Sequence, residues 1–325
     1  MLSKYYVMKK RLLGRTQIEV SEIAFGGVEI GMPYGIGSES QNDMLSENNA
    51  IDLLHAAVDS GINFFDTARS YGNSEYIMGK AFKDRREKVV ISTKSVHFRD
   101  AKGGIPDERS LVNIIQTSLY ESLEALQTDY VDVFMLHTVD MKILENDNIS
   151  RIFYDVKKSG KARAIGVSTY LPEETKVALE IGIWDLIQLP FNLMDQRQRT
   201  FFSLAAQKGV GIVTRSVLLK GLLSDRGKDL HPALKDVENH ILSYKELLNG
   251  SAPDLATLAI KFALSFDEIS TILVGIDRMI YLNKSIEAGN GDYLNKMDLL
   301  RAGDLSYPDP EFLNLHNWDK MGWLK

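Results

Sequence analysis

The stretch VVISTKSVHFRDAKGGIPDERSLVNIIQTSLYESLEALQTDYVDVFMLH, residues 89–137, places two short β-branched runs on either side of a segment with helical period. The runs are 89–93 (VVIST) and 131–136 (VDVFML), and both read as buried strands. Between them, in 110–126, Leu111, Ile114, Ile115, Leu119, Leu123 and Leu126 trace one helical face. Asp107 lies just ahead of that face and Glu108 follows it, which suits a helix start with acidic residues near the positive end. A strand, a helix and a strand in succession predict a right-handed crossover between parallel neighbours.

The same alternation continues outward in both directions. Residues 22–26 (EIAFG) and 62–66 (INFFD) precede the unit, and 163–167, 185–189, 210–214 and 270–274 follow it as further strands. Helices are predicted over 49–60, 148–159, 172–181, 196–208, 253–265 and 278–287. Eight such strands predict an α/β fold closed into a (β/α)8 TIM barrel rather than an open sheet. Residues 8–20, with their Leu-Gly-Arg-Thr turn, are expected to form a hairpin that plugs one end. The stretch 216–250 reads as a large loop with some helix. The tail after residue 290, with Pro308, Pro310, Trp318 and Trp323, reads as irregular chain packed onto the body.

At roughly 150 residues per domain, 325 residues suggest two domains, but an α/β barrel uses roughly 250 as one unit. With no low-complexity linker in the chain, one domain spanning 1–325 is expected. Hydrophobic residues at 44% and charged residues at 25% exclude disorder as the main state. Lys plus Arg number 38 against 44 Asp plus Glu, so the footprint of a general nucleic-acid binder is missing. Zero cysteines exclude disulfides, thiolate zinc sites and cysteine nucleophiles. His231 and His240 have no ligand spacing around them, so no metal site is expected. The opening MLSKYYVMKKRLLGRTQIEV does not read as a secretory signal, and no apolar run nears the roughly 20 residues of a membrane span. A cytoplasmic protein is expected, and the N-x-S matches at Asn148, Asn249 and Asn283 read as chance sequons.

In such a barrel the chemistry gathers at the C-terminal ends of the strands. The second strand ends in Asp66, the third in Lys94 and the fourth in His137, and the loop after the second adds Tyr71. Each alone is ordinary: a turn aspartate, a solvated lysine, a structural histidine, a Tyr-Gly turn. Together they bring a carboxylate, an ammonium, an imidazole and a phenol to one rim.

These residues lie in segments that resemble the aldo-keto reductase superfamily: GINFFDTARSYGNSE at 61–75, STK at 92–94 and LHTVD at 136–140. Further matches are GVST at 166–169, QLPFNLMD at 188–195, RSVLLKGLLS at 215–224 and the ILVGIDR that ends the eighth strand. The resemblance runs from about residue 10 to residue 290. It implies a carbonyl reductase that uses a nicotinamide cofactor without a Rossmann domain. Accordingly the run GGVEIGMPYGIG at 26–37 has glycines but not the G-x-G-x-x-G spacing. Tyr71 is implied as the general acid, Lys94 as the charge that lowers its pKa, Asp66 as the partner that holds Lys94, and His137 as the group that orients the substrate oxygen.

The same matches imply cofactor contacts. Ser168 and Gln188 are expected at the nicotinamide carboxamide, Ser216, Leu218, Lys220 and Gly221 at the pyrophosphate, and Gly275 at a turn into a helix that suits a phosphate or ribose. Two departures from the family pattern stand out. Arg215 occupies the position where many members stack an aromatic ring on the nicotinamide, a role a guanidinium plane can also fill. Asp277 replaces the usual basic residue, with Arg278 one step later, and Ser285 replaces the usual Asn. A carboxylate suits the free ribose hydroxyls of NAD(H), whereas Arg278 and Lys284 are candidates to hold the extra phosphate of NADP(H). The resemblance leans to NADP(H) and leaves NAD(H) open.

The expected substrate is a small carbonyl compound or sugar, with no nucleic-acid or membrane partner. Two other readings stay beside the reductase: a sugar dehydrogenase working oxidatively with NAD, and a slow cofactor-binding regulatory subunit of the kind that associates with channels. Specificity is expected in loops 28–47, 95–108, 216–250 and the tail. The polar runs GMPYGIGSES (31–40) and VHFRDAKGG (96–104) suit hydroxylated substrates as well as plain aldehydes.

Overall fold

Eight parallel strands close into a barrel in chain order, the last pairing with the first. Two short antiparallel strands, β1 (Lys10–Leu12) and β2 (Glu19–Ser21), precede them. The barrel strands are β3 (Ile23–Gly26), β4 (Phe64–Asp66), β5 (Val90–Lys94), β6 (Val131–Leu136), β7 (Ala162–Ser168), β8 (Leu186–Pro190), β9 (Gly211–Arg215) and β10 (Ile269–Gly275). This computed structural model describes residues 8–36, 40, 43–99 and 102–324. Parts of the two polar loops (37–39, 41–42 and 100–101) and of the basic opening (1–7) lie outside the described residues.

Successive side chains on a strand point to opposite faces, and both faces here are apolar. Ala24, Phe64, Val90, Val133, Met135, Ala164, Leu186, Val213 and Leu273 fill the barrel interior, where Leu13, Ile18 and Val20 join them. Those three come from the β1–β2 hairpin, which plugs the end opposite the catalytic rim as expected. Arg11 anchors it by donating to the carbonyls of Leu264, Phe266 and Ile269 at 2.9, 2.8 and 2.7 Å, where β10 begins. On the outer face Phe25, Phe65, Ile91, Phe134, Ile165 and Ile272 pack under the helices.

The helices run over Glu47–Asp59, Ser74–Phe82, Glu108–Ala125, Asp147–Lys158, Pro172–Ile181, Leu255–Leu264 and Met279–Ala288. Asp107 caps Glu108–Ala125 by accepting from the Ser110 amide. Ser74–Phe82 was not anticipated: it buries Ile77, Met78, Ala81 and Phe82, but nine residues give too short a periodic signal. The helix expected over 196–208 divides into a 3-10 turn, Arg197–Phe201, and an α-helix, Phe202–Gln207. Residues 216–250 contain helix Lys235–Ser243 and most of helix Lys245–Ser251. The tail is more regular than expected, with helices Lys296–Asp304 and Leu315–Lys320, and Trp318 is buried against Phe312. Among the described residues no helix is long and apolar enough to cross a membrane.

Strand register prepares the rim. Gly26 pairs with Asp66, Asp66 with Ser92, Ser168 with Gln188, and Gly275 with Gly26. Residues far apart in sequence are thereby brought to one level of the barrel.

Candidate active site

Asp66 and Lys94 end adjacent strands, and their charges meet at 2.5 Å between Nζ and Oδ2. The Lys94 side chain has no exposed surface, and its second bond goes to the Thr67 carbonyl at 2.9 Å. Asp66 uses its other oxygen to accept from Ser92 Oγ (3.2 Å) and Gln188 Nε2 (3.0 Å). Burial lowers the pKa of the ammonium, and the Asp66 charge opposes that shift.

Tyr71 reaches the same place from the loop after β4. That loop is tied down by backbone bonds from Thr67 to Ser92, from Arg69 to Lys94 and from Ser74 to Tyr71. Arg69 bridges Glu75 and Glu121, and Glu75 in turn accepts from Thr93. The turn behind Tyr71 is packed so closely that a Cβ on Gly31 would fall 1.9 Å from the Tyr71 carbonyl oxygen. Only glycine at 31 lets the two segments approach this closely. Lys94 Nζ lies 4.8 Å from the centre of the Tyr71 ring, and His137 meets that ring edge-on at 5.5 Å.

The phenol's acidity departs from the expectation that Lys94 lowers its pKa. The shift is upward, caused first by burial and then by the Asp66 carboxylate, with Arg215 opposing it. The Lys94 charge, 4.8 Å from the ring centre, does not offset burial and the Asp66 carboxylate. His137 moves the other way: burial, then Lys94, His97 and Arg215, push its imidazole down to about 2, so it is neutral at physiological pH. Ser70 Oγ lies 3.3 Å from His137 Nδ1, and His97 stacks on the ring at 4.9 Å.

From this rim a cavity of about 320 Å3 extends over β3, β9 and β10 toward helix Met279–Ala288. It takes in Ser168, Gln188, Arg215, Ser216, Leu218, Lys220, Gly221, Gly275, Asp277, Lys284 and Ser285 along with Asp66, Tyr71 and His137. Arg278 is exposed and stands outside that wall. Several side chains assigned to a cofactor already have protein partners. Arg215 stacks on Tyr170 at 4.0 Å and donates to the Thr169 carbonyl at 3.0 Å. Lys220 is paired with Asp319 of the tail, and Ser285 donates to the Tyr281 carbonyl at 2.8 Å. Gln188 spends its amide N–H on Asp66, which leaves its carbonyl oxygen for a carboxamide donor.

The polar groups lining the cavity fit a nicotinamide dinucleotide. Ser168 and Gln188 stand beside the phenol, Arg215 offers a flat cation, and Ser216, Leu219, Lys220 and Gly221 have left-handed backbone that turns this loop tightly around the cavity. Among the wall residues that the sequence did not single out are Glu29, Tyr34 and Arg226. Glu29 carried a visible signal, a charge inside an otherwise apolar glycine-rich run, whereas Arg226 lay unmarked in a long loop.

Known proteins resemble this chain over most of its length. A family model described as Aldo/keto reductase family matches residues 22–301. An uncharacterized oxidoreductase of Bacillus subtilis is 28% identical over 309 residues, covering 90% of this chain and 94% of its own. An NADH-specific methylglyoxal reductase of Escherichia coli is 32% identical over 231 residues, covering 67% and 69%. The holo form of an aldo-keto reductase from Bacillus halodurans superposes with a TM-score of 0.75 at 27% identity, covering 92% of this chain and 96% of that one. The match across most of the barrel, on a fold with the tyrosine, lysine, aspartate and histidine at one rim, means that the chain belongs to the Aldo/keto reductase family and is an NAD(P)H-dependent oxidoreductase.

Proposed function

We propose that this enzyme reduces small aldehydes, ketones or sugars to alcohols, with Tyr71 as proton donor and NAD(H) rather than NADP(H) as its preferred cofactor. The reading is carried by the buried Lys94–Asp66 pair beneath the Tyr71 ring. A nicotinamide dinucleotide held in the cavity would supply hydride, and the chain's own residues handle the oxygen. His137 is neutral, and in the tautomer that accepts at Nδ1 from Ser70 its Nε2–H is the donor that orients the carbonyl oxygen. Tyr71 Oη gives its proton to that oxygen as negative charge develops there. The phenol's raised pKa keeps it protonated through neutral pH, the form that reduction needs. Lys94 remains at contact with Asp66 and stabilises the phenolate left behind.

The sign of the pH dependence follows from that upward shift. Reduction should be flat across neutral pH, whereas oxidation of the matching alcohol needs the phenolate and should rise with pH. Steady-state rates with a panel of small carbonyls and sugars, read by loss of reduced-nicotinamide absorbance, test this directly. No turnover with any carbonyl would refute the reductase reading and favour a cofactor-binding subunit.

The cofactor preference is supported by the pairing of the cations at the nucleotide end. Lys220 faces Asp319, Arg226 lies 3.8 Å from Asp277, and Lys284 lies 3.0 Å from Asp254. A 2′-phosphate entering this end must compete with a carboxylate for each of them. The Escherichia coli relative named as NADH-specific points the same way. Asp277→Lys should therefore tighten NADPH binding by roughly ten-fold or more, since one carboxylate–phosphate repulsion is replaced by attraction, and change NADH binding little. Calorimetric titration of both cofactors checks this, and equal gains for the two would place Asp277 away from the sugar.

A further inference from the structure

The cavity holds one carboxyl that the chemistry above does not use. Glu29 stands in the short helix Val28–Gly31 directly after β3, and its side chain lies against the end of β10. A Cβ on Gly275 would fall 2.1 Å from Glu29 Oε1, so the carboxyl occupies space that only glycine leaves open. Its other oxygen, Oε2, is buried and has no hydrogen-bond partner among the described residues. Asp277 and Arg226 are the charged groups acting on it, and it acts in turn on the phenols of Tyr34 and Tyr71. A buried polar atom without a partner is costly in a folded protein. Here it belongs to a side chain that lines the ligand cavity and lies against Gly275, two positions before Asp277 in the sequence.

We propose that Glu29 is a cofactor-selecting residue: its free oxygen pairs with a sugar hydroxyl of the dinucleotide, and the same carboxyl disfavours a phosphate in that place. The inference rests on the dinucleotide reading given above. A hydroxyl both donates and accepts, so it satisfies the carboxyl whether or not a proton is bound. A phosphate dianion only accepts, so it pairs with the protonated carboxyl and is repelled by the ionised one. Burial, reinforced by Asp277 and opposed by Arg226, lifts the Glu29 pKa to about 8. Selection against phosphate must then sharpen as pH rises through that value.

The test is calorimetric binding of NADH and NADPH to the full-length protein at pH about 7 and about 9, both above the second ionisation of a phosphate at about 6. Taking the ratio of the two dissociation constants cancels the pyrophosphate that both cofactors share. In wild type the preference for NADH should grow about ten-fold between the two pH values, the effect of one like-charge contact in a partly dry site. Glu29→Gln, which keeps the shape and cannot ionise, should abolish that growth. Glu29→Ala should weaken NADH binding about ten-fold through the lost hydrogen bond. A pH-independent ratio in wild type, or the same growth in Glu29→Gln, overturns the assignment while leaving the dinucleotide reading intact. Failure of wild type to bind either cofactor overturns both.

Discussion

Tyr71→Phe should lower turnover of an active carbonyl substrate by about 10² to 10⁴, the usual contribution of one positioned general acid. The ring stays, so its edge contact with His137 and its place over Lys94 are kept. The hydroxyl alone is lost, so cofactor affinity should remain near that of wild type. The measurement is kcat at saturating carbonyl beside a direct binding titration of the reduced cofactor. The contrast between the two identifies the proton donor. Turnover near wild type would instead make His137 or a bound water the source of the proton, and the proposed roles at the rim would have to be reassigned.

Lys94→Met should be as damaging to turnover and should also destabilise the protein. Both members of the Lys94–Asp66 pair are buried, at 0% and 4% side-chain exposure. Removing one partner leaves a carboxylate in the interior with only Ser92 and Gln188 as donors. Breaking a buried pair in this way typically costs about 3–5 kcal/mol. Asp66→Asn in the same chain removes the stranded charge, so the double variant should recover much of that loss in urea unfolding. It should recover no turnover, because the cation that stabilises the phenolate is still missing. If the double variant regained activity along with stability, the pair would be a structural tie and nothing more. The effect of Asp66→Asn alone should be weaker on rate, since Lys94 keeps its carbonyl partner at Thr67.

The architecture was legible in the residues because a barrel of this kind repeats one local rule. Each strand is a short β-branched run and each long helix an amphipathic period, so strand count and order follow from nearest neighbours along the chain. The rim was legible for the same reason. Asp66 and Lys94 end consecutive strands and His137 directly follows the next, and strand ends are properties of sequence. Two kinds of feature were not readable. Short helices such as Ser74–Phe82 and the two tail helices carry too few turns for a period to stand out, and they are held by packing: Phe82 lies against Phe65, and Trp318 against Phe312.

The second kind is electrostatic. Sequence alone determined which ionisable groups exist and on which strand each one ends. Tertiary structure decided what those groups are worth. Burial and the Asp66 carboxylate outweigh Lys94 at the Tyr71 phenol, a balance that only the closed barrel sets. Lys220 meets a carboxylate 99 residues away in the tail, and Glu29 has its pKa raised in a wall built from β3 and β10, whose strands are among the most distant in the chain. Spacing along a chain carries strand and helix, which are local. Charge pairing and desolvation depend on what closes around a group, and only the closed barrel brings those partners together.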